Sequence, residues 1–343
     1  MNVLLCSVPF SPSVGGIESV AALLAEGLPA LGHRVVLLTR TPAAQPDRLP
    51  YRVVRQPGAR ALLQWLRWCD VVLHNNLSLR WAWPLPLLRR PWLVAHHTWI
   101  PREGTGSVAG RAKHAVLRHA HNVAASSALA DGLALPCAVI PNPYADDCFR
   151  RIPEVGRSRD LVFVGRLVSD KGVSVLLEAL SLLRERGLRP GLTLVGSGPE
   201  EPALRRQAER LGLQPQVTFA GRLERDALAL VLNAHRLLVV PSTWQEPFGL
   251  VVLEAMACGC VPVVARSGGL PEAVGEAGVV VPRGNPAALA DAMAGLLADE
   301  PALDRLRGRA AGQLARHRRD SVARQYDAAI VEACRAHAAR RPA

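Results

Sequence analysis

With 343 residues, 49% hydrophobic and 20% charged, the chain is sized for two globular domains, each able to bury about 70% of its unfolded surface. No apolar run reaches the roughly 18 residues that a membrane span needs, because the stretch Trp81 to Ala95 is cut by prolines and by Arg89-Arg90. The formal charge of +12 leaves nucleic acid, an anionic membrane surface and plain solubility open as causes.

The basic excess is concentrated at the end: from Arg305 onward ten arginines face three acids. Tyr326 is the sole aromatic residue there, which weakens a single-strand nucleic-acid reading. Two of the 41 basic residues are lysine, so part of the basicity is compositional bias. A weak peripheral membrane contact is favoured over solubility alone, and no nucleic acid is expected. Seven cysteines contain no Cys-x-x-Cys pair, and Cys258-Gly-Cys260 has the wrong spacing for a zinc knuckle. Reduced core cysteines of a cytosolic protein are expected. The N-terminus MNVLLCSVPF has no basic leader and reads as a first strand, so no signal peptide is expected.

In chain order, Met1 to Cys6 reads as a strand, Ser7 to Gly16 as a loop ending in Gly15-Gly16, and Ile17 to Leu31 as a helix. The second strand, Arg34 to Thr39, ends without an acid for a ribose, and Gly-x-Gly-x-x-Gly is absent. Both facts count against NAD. Strand-like runs recur at Tyr51 to Val54, Val71 to His74, Trp92 to His96, Asn122 to Ala125 and Ala138 to Ile140. Helical stretches between several of them imply right-handed βαβ crossovers, with ligands at the carboxyl ends of the strands. His96-His97 ends one such strand, so one imidazole faces the crevice and its neighbour faces away. Trp99 to His121 is a loop and then a basic helix carrying Arg111, Lys113, His114, Arg118 and His119. A turn at Asn142-Pro143 marks the linker, with the domain boundary at about 150.

The second half opens with a strand into Gly165-Arg166, followed by Asp170-Lys171-Gly172. Strand, glycine, two cations and a helix entrance describe a diphosphate clamp: arginine forks onto two oxygens and lysine supplies a compact charge. Leu192 to Val195 is a strand opening into Gly196-Ser-Gly198-Pro199 and a helix from Glu200 to Leu211. Val217 to Ala220, His235 to Val240, Val261 to Ala265 and Val279 to Val281 are further strands. Helices are expected from Asp226 to Asn233 and Pro286 to Ala298, with two more helical stretches at the C-terminus.

Between them runs the stretch on which the rest is organised, Val239 to Gly259. A helix pattern opens near Phe248-Gly249, with Glu246 just before it and Glu254 about two turns inside. A helix N-terminus suits a phosphate, whereas carboxylates beside it suit the hydroxyls of a ribose and a sugar attached to that phosphate.

Ser242-x-x-x-Glu246-Pro-Phe248-Gly249-Leu250-x-x-x-Glu254-Ala-x-Ala-x-Gly259, then Pro262-Val-Val and Gly268-Gly-Leu-Pro-Glu272, closely resembles retaining glycosyltransferases of family 4. The resemblance is dense from Arg159 to about Ala298 and thinner over the first 145 residues. It implies an α/β chain of the GT-B class, two Rossmann-like doubly wound domains facing across a cleft. Residues 1–150 would form the acceptor-side domain and 151–343 the nucleotide-sugar-binding domain, with a last helix (321–339) crossing back.

The same resemblance implies transfer of a sugar from a nucleotide diphosphate to a glycan, lipid-linked or small-molecule acceptor, by front-face attack with the leaving phosphate as base. Arg166 and Lys171 would neutralise that leaving group, assisted by amides at Phe248, Gly249 and Leu250. Glu254 would hold the ribose, and Gly196 would belong to the loop beneath the nucleoside. Glu246 and His97 would orient the sugar, and Gly16 would let backbone approach the donor. His97 rather than His96 matches by its spacing after Pro91, although Thr98 stands where the family often has aspartate or glycine. Asn142-Pro143 likewise departs from the commoner Asn-Gly.

No Asp-x-Asp or metal-ligand cluster lies near these motifs, so neither metal nor cofactor is expected. The expected location is cytoplasmic, with weak contact at the inner membrane face. Two rival readings are a nucleotide-sugar 2-epimerase of the same fold and a basic nucleotide-sugar-binding protein without turnover.

Overall fold

The computed structural model describes residues 1–13, 15–100 and 108–339. Contacts between elements divide the chain into two compact units, Met1–Tyr144 with His317–Ala343, and Ala145–Arg316. The first division falls a few residues before the boundary near 150 read from the linker turn.

The first unit runs β1 (Asn2–Ser7), α1 (Gly16–Gly27), β2 (Arg34–Thr39), β3 (Arg52–Arg55), α2 (Ala59–Trp68), β4 (Val71–Asn75), α3 (Leu79–Ala82), α4 (Leu85–Leu88), β5 (Trp92–His96), α5 (Val108–Leu117), β6 (His121–Ala124), α6 (Ser127–Leu133) and β7 (Cys137–Val139). Its strands are all parallel, in the order β3-β2-β1-β4-β5-β6-β7. Val3 to Cys6 and Val71 to Leu73 are buried on both faces, as continuous apolar runs covered by helices must be. One layer of the core joins Leu4, Val36, Val72 and Val94 to Leu62 and Leu66 of α2. The α2 helix thus forms because its apolar positions recur at helical spacing over that sheet face.

The second unit runs β8 (Arg159–Val164), α7 (Val173–Glu185), β9 (Leu192–Val195), α8 (Glu201–Arg210), β10 (Val217–Gly221), α9 (Arg225–Ala234), β11 (His235–Val240), α10 (Leu250–Ala257), β12 (Val261–Ala265), α11 (Leu270–Val274), β13 (Val279–Val281), α12 (Pro286–Ala298) and α13 (Glu300–Arg316). Its sheet is also parallel, in the order β10-β9-β8-β11-β12-β13. Leu161, Phe163, Leu194, Leu237 and Val263 meet Leu176, Leu180 and Met293 in its core. Asn285 caps α12 by accepting from the Ala288 amide at 3.0 Å.

The last helix, α14 (Arg319–Ala339), belongs to the first unit and packs on α1. Val322, Tyr326 and Ile330 are its buried stripe. A side chain at Gly27 of α1 would press on Ala323, so glycine there permits the close crossing. Arg319 donates to Glu26 at 2.8 Å and His33 meets Asp327 at 2.8 Å, closing the polar rim of that contact.

Both sheets reverse their order at one place, between β1 and β4 and between β8 and β11. In open parallel sheets the crevice outside the carboxyl ends of the strands at such a switch point is where ligands sit. The fold therefore offers each unit one such place.

Candidate functional site

In the second unit, the loop after β8 carries Arg166 and Lys171 and the loop after β11 carries Ser242 and Glu246, so the switch point brings both motifs together. Lys171 Nζ lies 2.5 Å from Glu246 Oε1, and Ser242 Oγ donates to the same oxygen at 2.6 Å. Glu246 is 8% exposed and Ser242 is fully buried. Glu246 Oε2 makes no hydrogen bond among the described residues, so it is the acceptor left for a ligand hydroxyl. The Glu246 backbone is held from the other side, its carbonyl accepting from the Gly269 amide at 2.8 Å.

The loops interlock through backbone. The Thr243 and Trp244 amides both donate to the Asp170 carbonyl, at 2.9 and 3.2 Å, and Ser267 donates to the Trp244 carbonyl. Gly172 has φ 70, and any Cβ there would collide with the Pro241 carbonyl. Gly196 has φ 137, and a Cβ would strike the Gly165 carbonyl. Only glycine allows these approaches, which is why the glycines of both motifs are needed whether or not they touch a ligand.

Arg166 is exposed, and its side chain makes no hydrogen bond or ion pair among the described residues. The two cations of the expected clamp therefore stand differently, Lys171 engaged with Glu246 and Arg166 free.

Helix α10 begins at Leu250, with Gly249 before it at φ 111 and Phe248 buried. It opens slightly later than the sequence pattern suggests. Glu254 is consequently its fifth residue, a little over one turn inside rather than two. Glu254 is half-buried, and desolvation pushes its carboxyl up to about 7, with the Arg225 charge working in the other direction.

In the first unit, Gly16 opens α1 after an extended Gly15, φ 179. His96 and His97 at the end of β5 are both buried. His96 meets Asn122 Oδ1 at 3.0 Å, which ties its ring to the neighbouring strand β6. His97 has its amide bound to Asn76 Oδ1 at 2.8 Å, while neither ring nitrogen makes a hydrogen bond among the described residues. Burial lowers the His97 imidazole to about 4, His96 adds to that effect, and the nearby Asn142 amide opposes it without closing a hydrogen bond. Of the two, His97 has the ring left for a ligand.

Sequence reasoning missed two polar residues that shape these edges and gave no role to a third, Ser242. Asn75, fully buried, donates to Ser7 Oγ at 3.0 Å and to the Ile17 carbonyl at 2.9 Å, so it ties the start of α1 to the ends of β1 and β4. Asn76, at φ 66, holds the His97 backbone. Ser242 was visible as the first residue of its motif, and its offset of four from Glu246 was the available signal. An Asn-Asn pair closing a strand was the signal for the other two.

The basic face expected of the Trp99–His121 segment is smaller than its sequence suggests. His114 is buried, and Arg118 and His119 lie beyond the end of α5. Residues 101–107 lie outside the described ones. Among the C-terminal arginines, Arg307 is matched by Glu300 and Asp304 at 2.7 and 2.8 Å, Arg319 by Glu26 and Arg324 by Asp320 at 3.0 Å, whereas Arg309, Arg316 and Arg335 are exposed and make no ion pair among the described residues. No helix among the described residues is long and apolar enough to cross a membrane. All seven cysteines are free thiols.

A family model described as glycosyl transferases group 1 matches residues 146–313, the second unit almost end to end. The phosphatidyl-myo-inositol mannosyltransferase of Mycobacterium leprae is 32% identical, over 85% of this chain and 86% of its own length. The chain belongs to the glycosyl transferases group 1.

Two further likenesses extend over nearly the whole of this group 1 enzyme. Glycogen synthase of Mycobacterium tuberculosis is 28% identical over 91% of the chain and 90% of that protein. The Anabaena protein HepE, solved in complex with UDP and glucose, aligns at TM-score 0.80 and 22% identity, covering 97% of this chain and 100% of that one. The fold is GT-B, with two parallel α/β domains, and the protein is a glycosyltransferase.

Proposed function

We propose that this glycosyltransferase moves a sugar from a nucleotide diphosphate sugar to a glycan, lipid-linked or small-molecule acceptor, with retention at the anomeric carbon. The observation that carries the proposal is the meeting of Lys171, Ser242 and Glu246 at the carboxyl edge of the second sheet. One lysine and one carboxylate with a spare oxygen suit the two halves of such a donor, its phosphate and its sugar.

In this account Arg166 and Lys171 neutralise the charge that develops on the departing diphosphate, and the amides from Phe248 to Leu250 add the positive end of α10. A preorganised counter-charge acts where the charge appears in the transition state, which is what raises turnover. Glu254 accepts from the ribose hydroxyls and Gly196 lies beneath the nucleoside. Glu246 orients the transferred sugar through Oε2, His97 contacts that sugar, and Gly16 gives the donor room. The leaving phosphate takes the acceptor proton on the face from which it departs, so no second carboxylate serves as nucleophile. The two cations supply the counter-charge, and the proposal includes no metal or cofactor.

The names of the relatives, a glycogen synthase and a phosphatidyl-myo-inositol mannosyltransferase, support both glycan and lipid-linked acceptors. A weak membrane contact of a cytoplasmic enzyme is supported by the basic residues Arg111 and Lys113 of α5 and by the unpaired, exposed Arg309, Arg316 and Arg335.

Proton NMR of the glycoside formed, from a panel of nucleotide sugars and a crude acceptor extract, tests the proposal. A product with the donor's anomeric configuration is expected, and an inverted product would overturn retention.

A further inference from the structure

The first unit carries a pocket at the opposite edge of its sheet from the residues assigned there above. It is about 510 Å³ and is lined by the residues that begin β2 and β3 and by one face of α2. It therefore opens at the amino edge of the sheet, whereas Ser7, Asn75 and His97 lie at the carboxyl edge. A six-residue strand such as β2 separates the two edges by about 16 Å.

Two arginines and two tryptophans form one side. Arg52 lies over the Trp65 ring at 4.8 Å and Arg34 over the Trp68 ring at 5.9 Å, and the two indoles meet edge to face at 5.3 Å. Stacking on an indole fixes the plane of a guanidinium and leaves its N–H edge directed outward. Neither guanidinium makes a hydrogen bond or an ion pair among the described residues. That sets them apart from their neighbour Arg55, which holds Asp47 at 2.7 and 3.1 Å.

The deeper wall adds two unmet polar atoms. Tyr51 is 8% exposed and its hydroxyl makes no hydrogen bond among the described residues. His33 is equally buried, with Nε2 on Asp327 and Nδ1 without a partner among the described residues. Buried polar atoms are ordinarily satisfied, and two exceptions lining one pocket point to a missing ligand. No acid is among the lining residues.

We infer that this pocket binds an anionic saccharide, a sugar bearing a phosphate or a carboxylate, as a site separate from the one that carries transfer. The acid group would be taken bidentate by Arg34 and Arg52, while sugar hydroxyls meet Tyr51 and His33 Nδ1.

Tryptophan fluorescence of the full chain titrated with glucose 6-phosphate, glucuronate, inorganic phosphate and glucose tests it, with a nucleoside diphosphate present throughout to occupy the donor site. Saturable responses to the first two are expected, with inorganic phosphate weaker and glucose silent. Arg34→Gln and Arg52→Gln should each weaken the anionic sugars about tenfold or more, as loss of a charge-assisted hydrogen bond does. Turnover at saturating donor should stay unchanged in both variants, since neither residue belongs to the transfer site. The assignment is overturned by no saturable response, by a response that both variants keep, or by inorganic phosphate or glucose binding as tightly as the anionic sugars.

Discussion

Lys171 and Glu246 are 75 residues apart in sequence and 2.5 Å apart in space, joined where the loops after β8 and β11 meet. The pair keeps each group in place before a donor arrives: the lysine is anchored by the carboxylate, and the carboxylate by lysine and Ser242 together. In the proposed reaction a donor would find one oxygen of Glu246 and the open side of Lys171 ready. Preorganisation of that kind costs no rearrangement during transfer.

Glu246→Gln tests the shared oxygen. An amide in that place loses the charge that holds Lys171 and turns half of an acceptor pair into a donor. Turnover should fall by about 10²-fold, as loss of one preorganised polar group does, while affinity for the free nucleoside diphosphate changes little. Steady-state kinetics beside calorimetry of the nucleotide separate the two, and a variant weakened only in nucleotide affinity would place Glu246 on the wrong half of the donor.

Arg166 stands exposed and unpaired, so its replacement removes no contact that holds the fold. Arg166→Ala should keep the wild-type thermal midpoint and lose about 10²-fold in turnover. Near-normal turnover would remove it from the diphosphate clamp.

Glu254 supplies a pH signature. Its folded-state value, raised to about 7 by burial, means that the carboxylate form costs stability as pH rises from the ordinary value through 7. A ribose diol needs that carboxylate as acceptor, so nucleotide affinity should improve as pH climbs from 6 to 8. Glu254→Gln should flatten that profile and leave only the titration of the nucleotide's own phosphate. Calorimetry of both proteins at pH 6, 7 and 8 decides it, and parallel profiles would move the ribose elsewhere.

The alternation of strands and helices, the glycine turns and the Ser242-to-Glu254 motif were legible because they are local. Apolar runs of four to six residues ending in glycine or proline can form little other than buried parallel strands. What was hidden depends on residues far apart. Nothing in sequence tells that Asn76 holds the amide of His97, or that Lys171 and Arg166 differ in engagement, since both follow from loop geometry. His114 reads as a surface cation beside Arg111 and Lys113, yet helical phase turns it inward. The matching of C-terminal arginines with acids such as Glu26 and Glu300 likewise appears only when distant helices pack.

His74 predicts how the first unit responds to acid. It is buried against Trp92, 5.5 Å between ring centroids, with no hydrogen bond to either nitrogen among the described residues, and desolvation lowers it to about 3. The folded state therefore binds fewer protons than the unfolded one, so its stabilising share is full above the ordinary value near 6.5 and is lost as pH falls toward 3. By pH 4 the loss should be on the order of 2–3 kcal/mol. His74→Phe should soften this slope in urea titrations between pH 7 and 4, whereas an unchanged slope would show that His74 does not set it.

In the proposed transfer the Lys171 edge of the second unit holds the diphosphate as the sugar leaves it. Release of nucleoside diphosphate from the best donor of a nucleotide-sugar panel, compared between wild-type protein and Lys171→Ala at equal thermal stability, tests it most directly. Measurable turnover is expected in the wild type and a loss of about 10²-fold or more in the variant. Equal rates in the two proteins would contradict it.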